Sequence, residues 1–219
     1  MIKPNPIFLS SWSVIDLTKS ELLNLEMLPG IAEKHGFQGI ELVDRQLPGL
    51  LTSKLQGTKF FTWLHKVLIK NRKPKPLTDQ NIRKNIYSIF DNILPKAEEL
   101  KINLAIENHW GVSGFTDNIL DIINFYQSPF LGTCPDFGNF TVFQDKYFEL
   151  KRLLPFAKEV HAKSYQFNED GEETTIQYET CVNLIRHSKY QGPLVVEYEG
   201  AGDKMMNSVK TKDLVIKYL

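Results

Sequence analysis

Short apolar runs that stop abruptly on polar residues recur along the chain. In one of them, residues 102–106 are mostly apolar, and Glu107, Asn108 and His109 follow directly. Apolar runs of about four to eight residues are typical of buried strands. The pattern predicts strands at 7–12, 37–44, 102–107, 158–167 and 193–200, and a strand with its exit loop at 130–139.

Segments with apolar residues at helical spacing lie between these runs. They predict helices at 20–36, 79–101, 116–127, 145–157, 175–192 and 203–219. We expect Pro29 to kink or split the first helix and Pro95 to interrupt the second, because proline removes a backbone hydrogen bond. The second half of the chain alternates strictly between strand and helix with short connections. This alternation indicates parallel strands with crossover helices, hence an α/β sheet or barrel.

Residues 45–78 do not follow this alternation. They contain at most one helix, at 58–70, followed by a basic loop that contains prolines. Residues 66–71 could instead form a short strand, and the sequence does not decide between the two. We treat the whole chain, 1–219, as one domain in which 45–78 is an atypical shortened segment.

The composition narrows the class of protein. Lys plus Arg and Asp plus Glu number 26 each, so no net charge attracts the chain to nucleic acid or to an anionic membrane. The two cysteines form no CxxC motif, which favours a reducing compartment. No stretch has the length of a membrane span or of a secretory signal. The sequence therefore predicts a soluble, cytoplasmic protein.

Four polar residues follow successive apolar runs in the second half of the chain. Glu107, Asp136, His161 and Glu197 are separated by 29, 25 and 36 residues. Each separation is close to the roughly 31 residues of one repeat in a (β/α)₈ barrel. Because parallel strands end at the same rim, we expect the four side chains to converge at the C-terminal mouth, where such barrels place their chemistry.

Three carboxylates and one imidazole, without clustered cysteines, suit a divalent cation. Mn²⁺, Mg²⁺ or Co²⁺ is favoured, and Zn²⁺ is possible. A bound cation would also relieve the repulsion between carboxylates crowded at one rim. A single glutamate at a strand end is more often solvated or salt-bridged, but four in phase on successive strands favour a metal site.

Four blocks of the sequence, LAIENHWG, GTCPDFGN, VHAKSYQFNEDGEETTIQY and GPLVVEYEG, are similar to consecutive blocks of a known family. The chain resembles the sugar phosphate isomerase/epimerase family of xylose isomerase-like TIM barrels. The resemblance is close over 79–200 and weaker in FLSSW and GFQGIELV. It implies a TIM-type (β/α) barrel in which one divalent metal is held by Glu107, Asp136, His161 and Glu197.

The resemblance also implies an activity on a small molecule. In the family, a proton moves next to a carbonyl of a sugar or sugar acid through an enediolate, and Glu107 and Glu197 would serve as acid and base. A related possibility is dehydration of a cyclic polyol or keto-acid, of the inosose or dehydroshikimate type. Another is a non-catalytic relative that binds metal or sugar. A deoxyribonuclease like endonuclease IV would need a histidine-rich zinc site, and the chain has only five histidines.

Several neighbouring residues are candidates for substrate contacts. Each has a structural alternative: a supporting contact for His109, an ion pair with a rim carboxylate for Lys163, a salt bridge for Glu41 and packing for Trp12. Asn139 occupies a position at which related ketose 3-epimerases carry histidine. Glu199 should point away from the face of Glu197 if the strand persists. The candidates are therefore His109, Asn139, Lys163, Trp12 and Glu41.

The chain departs from the family between GIELVD and the helix that begins near residue 79. Family members have a third strand, a helix and a fourth strand in this interval, and no such pattern is present in 45–78. We therefore predict six strands and a barrel that is contracted or incomplete around strands 3 and 4. An open side would expose sheet edges, which calls for a covering segment or a homo-oligomer.

Overall fold

The computed structural model describes residues 5–14, 27–41, 77–142 and 144–219. The chain divides into two compact units. The first unit comprises Met1–Thr58 and Val160–Leu219, and the second comprises Lys59–Glu159. The strands are β1 Ile7–Ser10, β2 Gly39–Glu41, β3 Leu104–Glu107, β4 Leu131–Cys134, β5 Val160–Ser164 and β6 Leu194–Tyr198. The helices are α1 Leu28–Lys34, α2 Gln80–Leu100, α3 Thr116–Tyr126, α4 Lys146–Leu153, α5 Tyr178–Ser188 and α6 Lys204–Tyr218.

The first unit is built on a parallel sheet with the strand order β2-β1-β6-β5. Every residue of β5 and β6 is buried, as expected for a parallel strand that is covered on both faces. Helix α6 packs on β6 and on α5. Gly200, in the loop after β6, packs directly against the backbone that follows β5. A Cβ at this position would lie 1.7 Å from the carbonyl oxygen of Tyr165, so only glycine fits.

The second unit contains the parallel pair β3 and β4, in register from Leu104 and Leu131 to Glu107 and Cys134. Helices α2 and α3 cover this pair with an apolar core. Asp79 caps α2 by accepting hydrogen bonds from the backbone N–H groups of the first turn. The central buried side chains of this core are Ile86, Phe90, Leu94, Ile106, Ile119, Ile122, Leu131 and Leu153.

The interruption predicted at Pro95 is wrong. Helix α2 runs without a break from Gln80 to Leu100, with Pro95 inside it. Pro95 and Asp91, whose carbonyl would have accepted the missing hydrogen bond, are both exposed. Water can therefore satisfy that carbonyl, and the apolar stripe of the helix continues on its other face. Pro29 lies in the first turn of α1, a position at which proline costs no helical hydrogen bond.

The predicted α/β fold is confirmed, and the described part of the chain contains six strands. All six strands and the six predicted helices have counterparts, although several are shorter than the apolar runs suggested. Among the described residues the strands do not form one closed sheet, in agreement with the predicted incomplete barrel. The helix at 58–70 and the alternative strand at 66–71 lie outside the described residues. The single domain over 1–219 stays a prediction.

Candidate active site

The strand register of the first unit brings four polar residues to one level of its sheet. Ser10 pairs with Glu41 across β1 and β2, and Lys163 pairs with Glu197 across β5 and β6. The middle strands β1 and β6 are aligned so that Leu9 pairs with Val196, the residues that directly precede Ser10 and Glu197. The four side chains therefore lie in a row near the C-terminal ends of parallel strands.

His161 lies between two carboxylates of this row. Its Nε2 is 3.3 Å from Oε1 of Glu41, and its Nδ1 is 3.5 Å from Oε2 of Glu197. The expectation that His161 ends its strand is wrong: it is the second residue of β5, which starts at Val160 and pairs with β6 as far as Ser164. Because His161 and Lys163 lie two residues apart on one face, both still reach Glu197.

Lys163 is only 1% exposed, and its ammonium group forms ion pairs with two carboxylates. Its Nζ contacts Oε2 of Glu197 and lies 3.1 Å from Oε1 of Glu199. The indole N–H of Trp12 donates to the same oxygen of Glu199 at 2.7 Å. The expectation that Glu199 points away from Glu197 is wrong, because residues two apart along an extended chain lie on the same side, and Lys163 reaches both carboxylates.

The charges in this row shift two carboxyl groups in the same direction. Burial by itself raises the pKa of Glu197, but His161 and Lys163 more than offset it, so the pKa is lowered from its ordinary value. Burial also acts to raise the pKa of Glu41, and hydrogen bonds from His161 and Ser10 lower it overall. Both glutamates are therefore held as carboxylates at neutral pH.

In the second unit, Asp136 is completely buried and is fixed by its surroundings. Asn108 donates from Nδ2 to the backbone oxygen of Asp136 at 3.0 Å and accepts from the backbone N–H of Asp136 at 2.6 Å. The backbone N–H groups of Gly138 and Asn139 donate to Oδ1 of Asp136 at 2.7 and 3.0 Å. The carboxylate is thus oriented by the loop that follows β4.

Glu107 is the last residue of β3, and Asn139 holds it in place. Nδ2 of Asn139 donates to Oε1 of Glu107 at 2.9 Å. The backbone N–H of His109 donates to the carbonyl of Ser113 at 3.3 Å, and its ring lies edge-on to that of Trp110 with centroids 4.7 Å apart. Asn139 therefore links the β4 loop to the glutamate at the end of β3.

Replacing Asn108 tests whether this support is needed to place Asp136. Asn108→Ala should lower the free energy of unfolding by about 1–3 kcal/mol, because it leaves a buried backbone N–H and a carbonyl without side-chain partners. Urea denaturation measures this change. Asn92→Ala, on the exposed face of α2, is the matched control and should change stability by no more than about 0.5 kcal/mol. Equal stability of both variants would contradict the assigned role of Asn108.

The structure brings together many of the residues that the sequence singled out. Glu41, His161, Lys163 and Glu197 are neighbours in the first unit, where Trp12 joins them through Glu199. Ser10 was missed, although it carries the same signal as the others, a polar residue at the end of an apolar strand. In the second unit, the structure places together Glu107, Asn108, Asp136 and Asn139.

Comparison with known proteins identifies a family and a fold. A family model described as xylose isomerase-like TIM barrel matches residues 51–215. Comparison with curated protein sequences gave no match.

No described helix has both the length and the apolar character that crossing a membrane requires.

Solved structures of similar fold include enzymes of several kinds. The probable 3-DHS dehydratase AsbF from Bacillus anthracis has a TM-score of 0.68 at 14% identity, covering 95% of this chain and 98% of that one. The IolI protein with a bound zinc atom has a TM-score of 0.68 at 15% identity, covering 98% and 99%. D-allulose 3-epimerase from Methylomonas sp., in complex with D-allulose, has a TM-score of 0.67 at 11% identity, covering 99% and 98%. At these identities the similarity establishes the fold alone.

Proposed function

Because this chain belongs to the xylose isomerase-like TIM barrel family, we propose that it is a divalent-metal-dependent isomerase or epimerase of a sugar or sugar acid. The reaction is proton transfer next to a carbonyl. The observation that carries the proposal is the buried group of His161, Lys163 and Glu197 near the ends of β5 and β6. A cluster of buried titratable groups in which a carboxyl pKa is lowered is typical of active sites and supports the proposal.

The proposed ligands of the metal are Glu107, Asp136, His161 and Glu197. One imidazole and three carboxylates suit Mn²⁺, Mg²⁺ or Co²⁺, with Zn²⁺ also compatible. The described residues fit such an ion, because Asp136 is 0% and Glu197 only 7% exposed, and both would be neutralised by it. Asp136 and Glu107 are also oriented by hydrogen bonds from backbone N–H groups and from Asn139.

The metal, when bound, supplies a positive charge that polarises the oxygens of the substrate. Glu197 accepts or returns the proton on one side of the substrate carbon, and Lys163 keeps this side chain ionised. Glu107 serves as the partner acid or base, with the direction of its carboxylate set by Asn139. Both carboxylates are held before substrate arrives, which lowers the cost of reaching the reactive geometry.

Contacts with the rest of the substrate are assigned to residues around these carboxylates. His109 and Trp12 offer rings to a sugar, and the indole N–H of Trp12 is already fixed by Glu199. Asn139 binds Glu107 and Lys163 binds Glu197, so these two residues act on the substrate by holding the carboxylates in place.

The binding partner is a small-molecule sugar or polyol, and a homo-oligomer would cover the open side of the barrel. The enzyme works in the cytoplasm, where both free cysteines stay reduced.

Two measurements test this function. Calorimetric titration with Mn²⁺ should show one site in the wild type and none in Asp136→Ala. The control is Asp170→Ala, which changes an exposed acidic residue in the loop after β5 and should bind Mn²⁺ as the wild type does.

The second measurement follows proton exchange. In D₂O, the metal-loaded wild type should incorporate deuterium into at least one sugar of a panel, as detected by NMR. Undiminished Mn²⁺ binding by Asp136→Ala would refute the metal site. Metal binding without exchange on any sugar would favour a non-catalytic binding protein.

Dehydration of a cyclic polyol or keto-acid is the second candidate function. It is favoured by the structural similarity to the probable 3-DHS dehydratase AsbF. Dehydration also begins with removal of a proton next to a carbonyl, so the same residues would serve. Mass spectrometry of the products distinguishes the two reactions, because a dehydratase yields a product lighter by one water and an epimerase yields an isomer.

A further inference from the structure

Glu41, the last residue of β2, lies between a hydroxyl group and an imidazole. The hydroxyl of Ser10 donates to Oε2 of Glu41, and Oε1 of Glu41 lies 3.3 Å from Nε2 of His161. Ser10 and Glu41 are registered partners on adjacent parallel strands, so the backbone itself sets their approach. The result is a chain of polar contacts, Ser10 to Glu41 to His161.

The two nitrogens of His161 face different carboxylates. Nε2 faces Glu41, and Nδ1 faces Glu197 at 3.5 Å. A metal ion binds an imidazole nitrogen through its lone pair, so a cation at Nδ1, on the side of Glu197, would leave the ring proton on Nε2. Glu41 is the carboxylate that faces this nitrogen.

We propose that Glu41 is a positioning residue that fixes the ring of His161 through Nε2 and thereby presents Nδ1 to the metal. The inference rests on the proposed function, in which His161 and Glu197 are ligands of one cation. A carboxylate at the ring nitrogen that does not bind the metal orients a metal-binding histidine and raises its basicity. Glu41 lies at the opposite nitrogen of the ring from Glu197, so it acts from behind the imidazole and not as a contact of the substrate.

The surroundings of Glu41 agree with this role, because Ser10 contacts one oxygen of its carboxylate and His161 faces the other. An ionised carboxylate is the stronger acceptor for an imidazole N–H. Ser10, which is completely buried, limits the rotation of the carboxylate.

Metal titration tests the inference directly. With Mn²⁺ as the probe in calorimetry, Glu41→Ala should bind about 10- to 100-fold more weakly than the wild type. Glu41→Gln keeps an acceptor oxygen without the charge and should lie between the two, and Ser10→Ala should have a smaller effect. Glu33→Gln, an exposed glutamate on α1, is the control with the same change of charge and should bind as the wild type does.

Nitrogen NMR of the metal-free protein provides a second readout that does not depend on the metal. The proton on Nε2 of His161 should be protected from exchange in the wild type and lose that protection in Glu41→Ala, with the melting temperature showing that the variant is folded. If Glu41→Ala does not fold, Glu41→Gln serves for both measurements. Wild-type protein that binds no Mn²⁺ refutes the proposed function. Normal Mn²⁺ affinity in both Glu41 variants, with a binding wild type, refutes the role of Glu41.

Discussion

Glu197→Gln should reduce solvent deuterium incorporation into the substrate by about 10²- to 10⁴-fold, the usual cost of losing one general acid or base. Glutamine has the shape of glutamate but cannot accept the proton at neutral pH. Glu197 is also one of the proposed metal ligands, so the variant should bind Mn²⁺ more weakly. Exchange should therefore be measured at a metal concentration that saturates the variant, as established by calorimetry. The remaining defect then reports on proton transfer.

The control for this variant is Glu179→Gln, an exposed glutamate in the first turn of α5. It makes the same change of charge away from β5 and β6 and should exchange at the wild-type rate. Circular dichroism should show that both variants retain the wild-type fold. Wild-type exchange by metal-saturated Glu197→Gln would show that Glu197 moves no proton in the reaction.

Lys163→Met should cause a large loss of stability. Removing one partner of a buried ion pair leaves the other charge without compensation, which typically costs roughly 3–5 kcal/mol. Here the carboxylates of Glu197 and Glu199 lose their shared cation, whereas methionine fills a similar volume. Urea denaturation in the presence of a chelator measures the effect without a bound metal, which would otherwise neutralise Glu197.

A double-mutant cycle shows whether the loss comes from the ion pair. Lys163→Met combined with Glu197→Gln should be considerably more stable than the sum of the single changes predicts. The pKa of Glu197 is lowered in the folded state, so its ionised form adds to the free energy of unfolding. This stabilisation is complete above pH 4.5, the ordinary pKa of the group, and declines as the pH falls below that value. Lys151→Met, exposed on α4, should be nearly neutral. A similarly small loss for Lys163→Met would contradict a stabilising ion pair.

The strands and helices could be predicted because each one carries a local pattern. The apolar run before Glu107 and the alternation of strand and helix from residue 79 onward specify buried parallel strands and crossover helices. The same logic placed Glu107 at the end of β3 and Glu197 one residue before the end of β6. A strand that ends on a charged residue is a local signal, and local signals are readable from one sequence.

The side-chain pairs of the site could not be predicted, because they depend on the register between strands that are distant in sequence. The pairing of Lys163 with Glu197 follows from how β5 and β6 are aligned, and the pairing of Ser10 with Glu41 follows from β1 and β2. His161 was expected at a strand end because it is the first polar residue after a short run, but β5 continues to Ser164. Glu199 was misjudged because residues two apart on a strand share a face, which places Glu199 on the side of Glu197.

Proline gave the other error, for a different physical reason. The rule that proline interrupts a helix assumes that the lost hydrogen bond is costly. In α2 the carbonyl concerned belongs to the exposed Asp91, and Leu94 and Ala97 on either side of Pro95 are buried in the core. Packing of these neighbours maintains the helix through the proline, and packing of this kind is not visible in a sequence read alone.

Anomalous diffraction from crystals grown with Mn²⁺ tests the central claim most directly. We expect one manganese peak per chain, coordinated by Glu107, Asp136, His161 and Glu197, with His161 bound through Nδ1 and with Glu41 at Nε2. A peak that lacks any of these four ligands, or no peak in crystals that contain a saturating concentration of Mn²⁺, would contradict the proposed metal site.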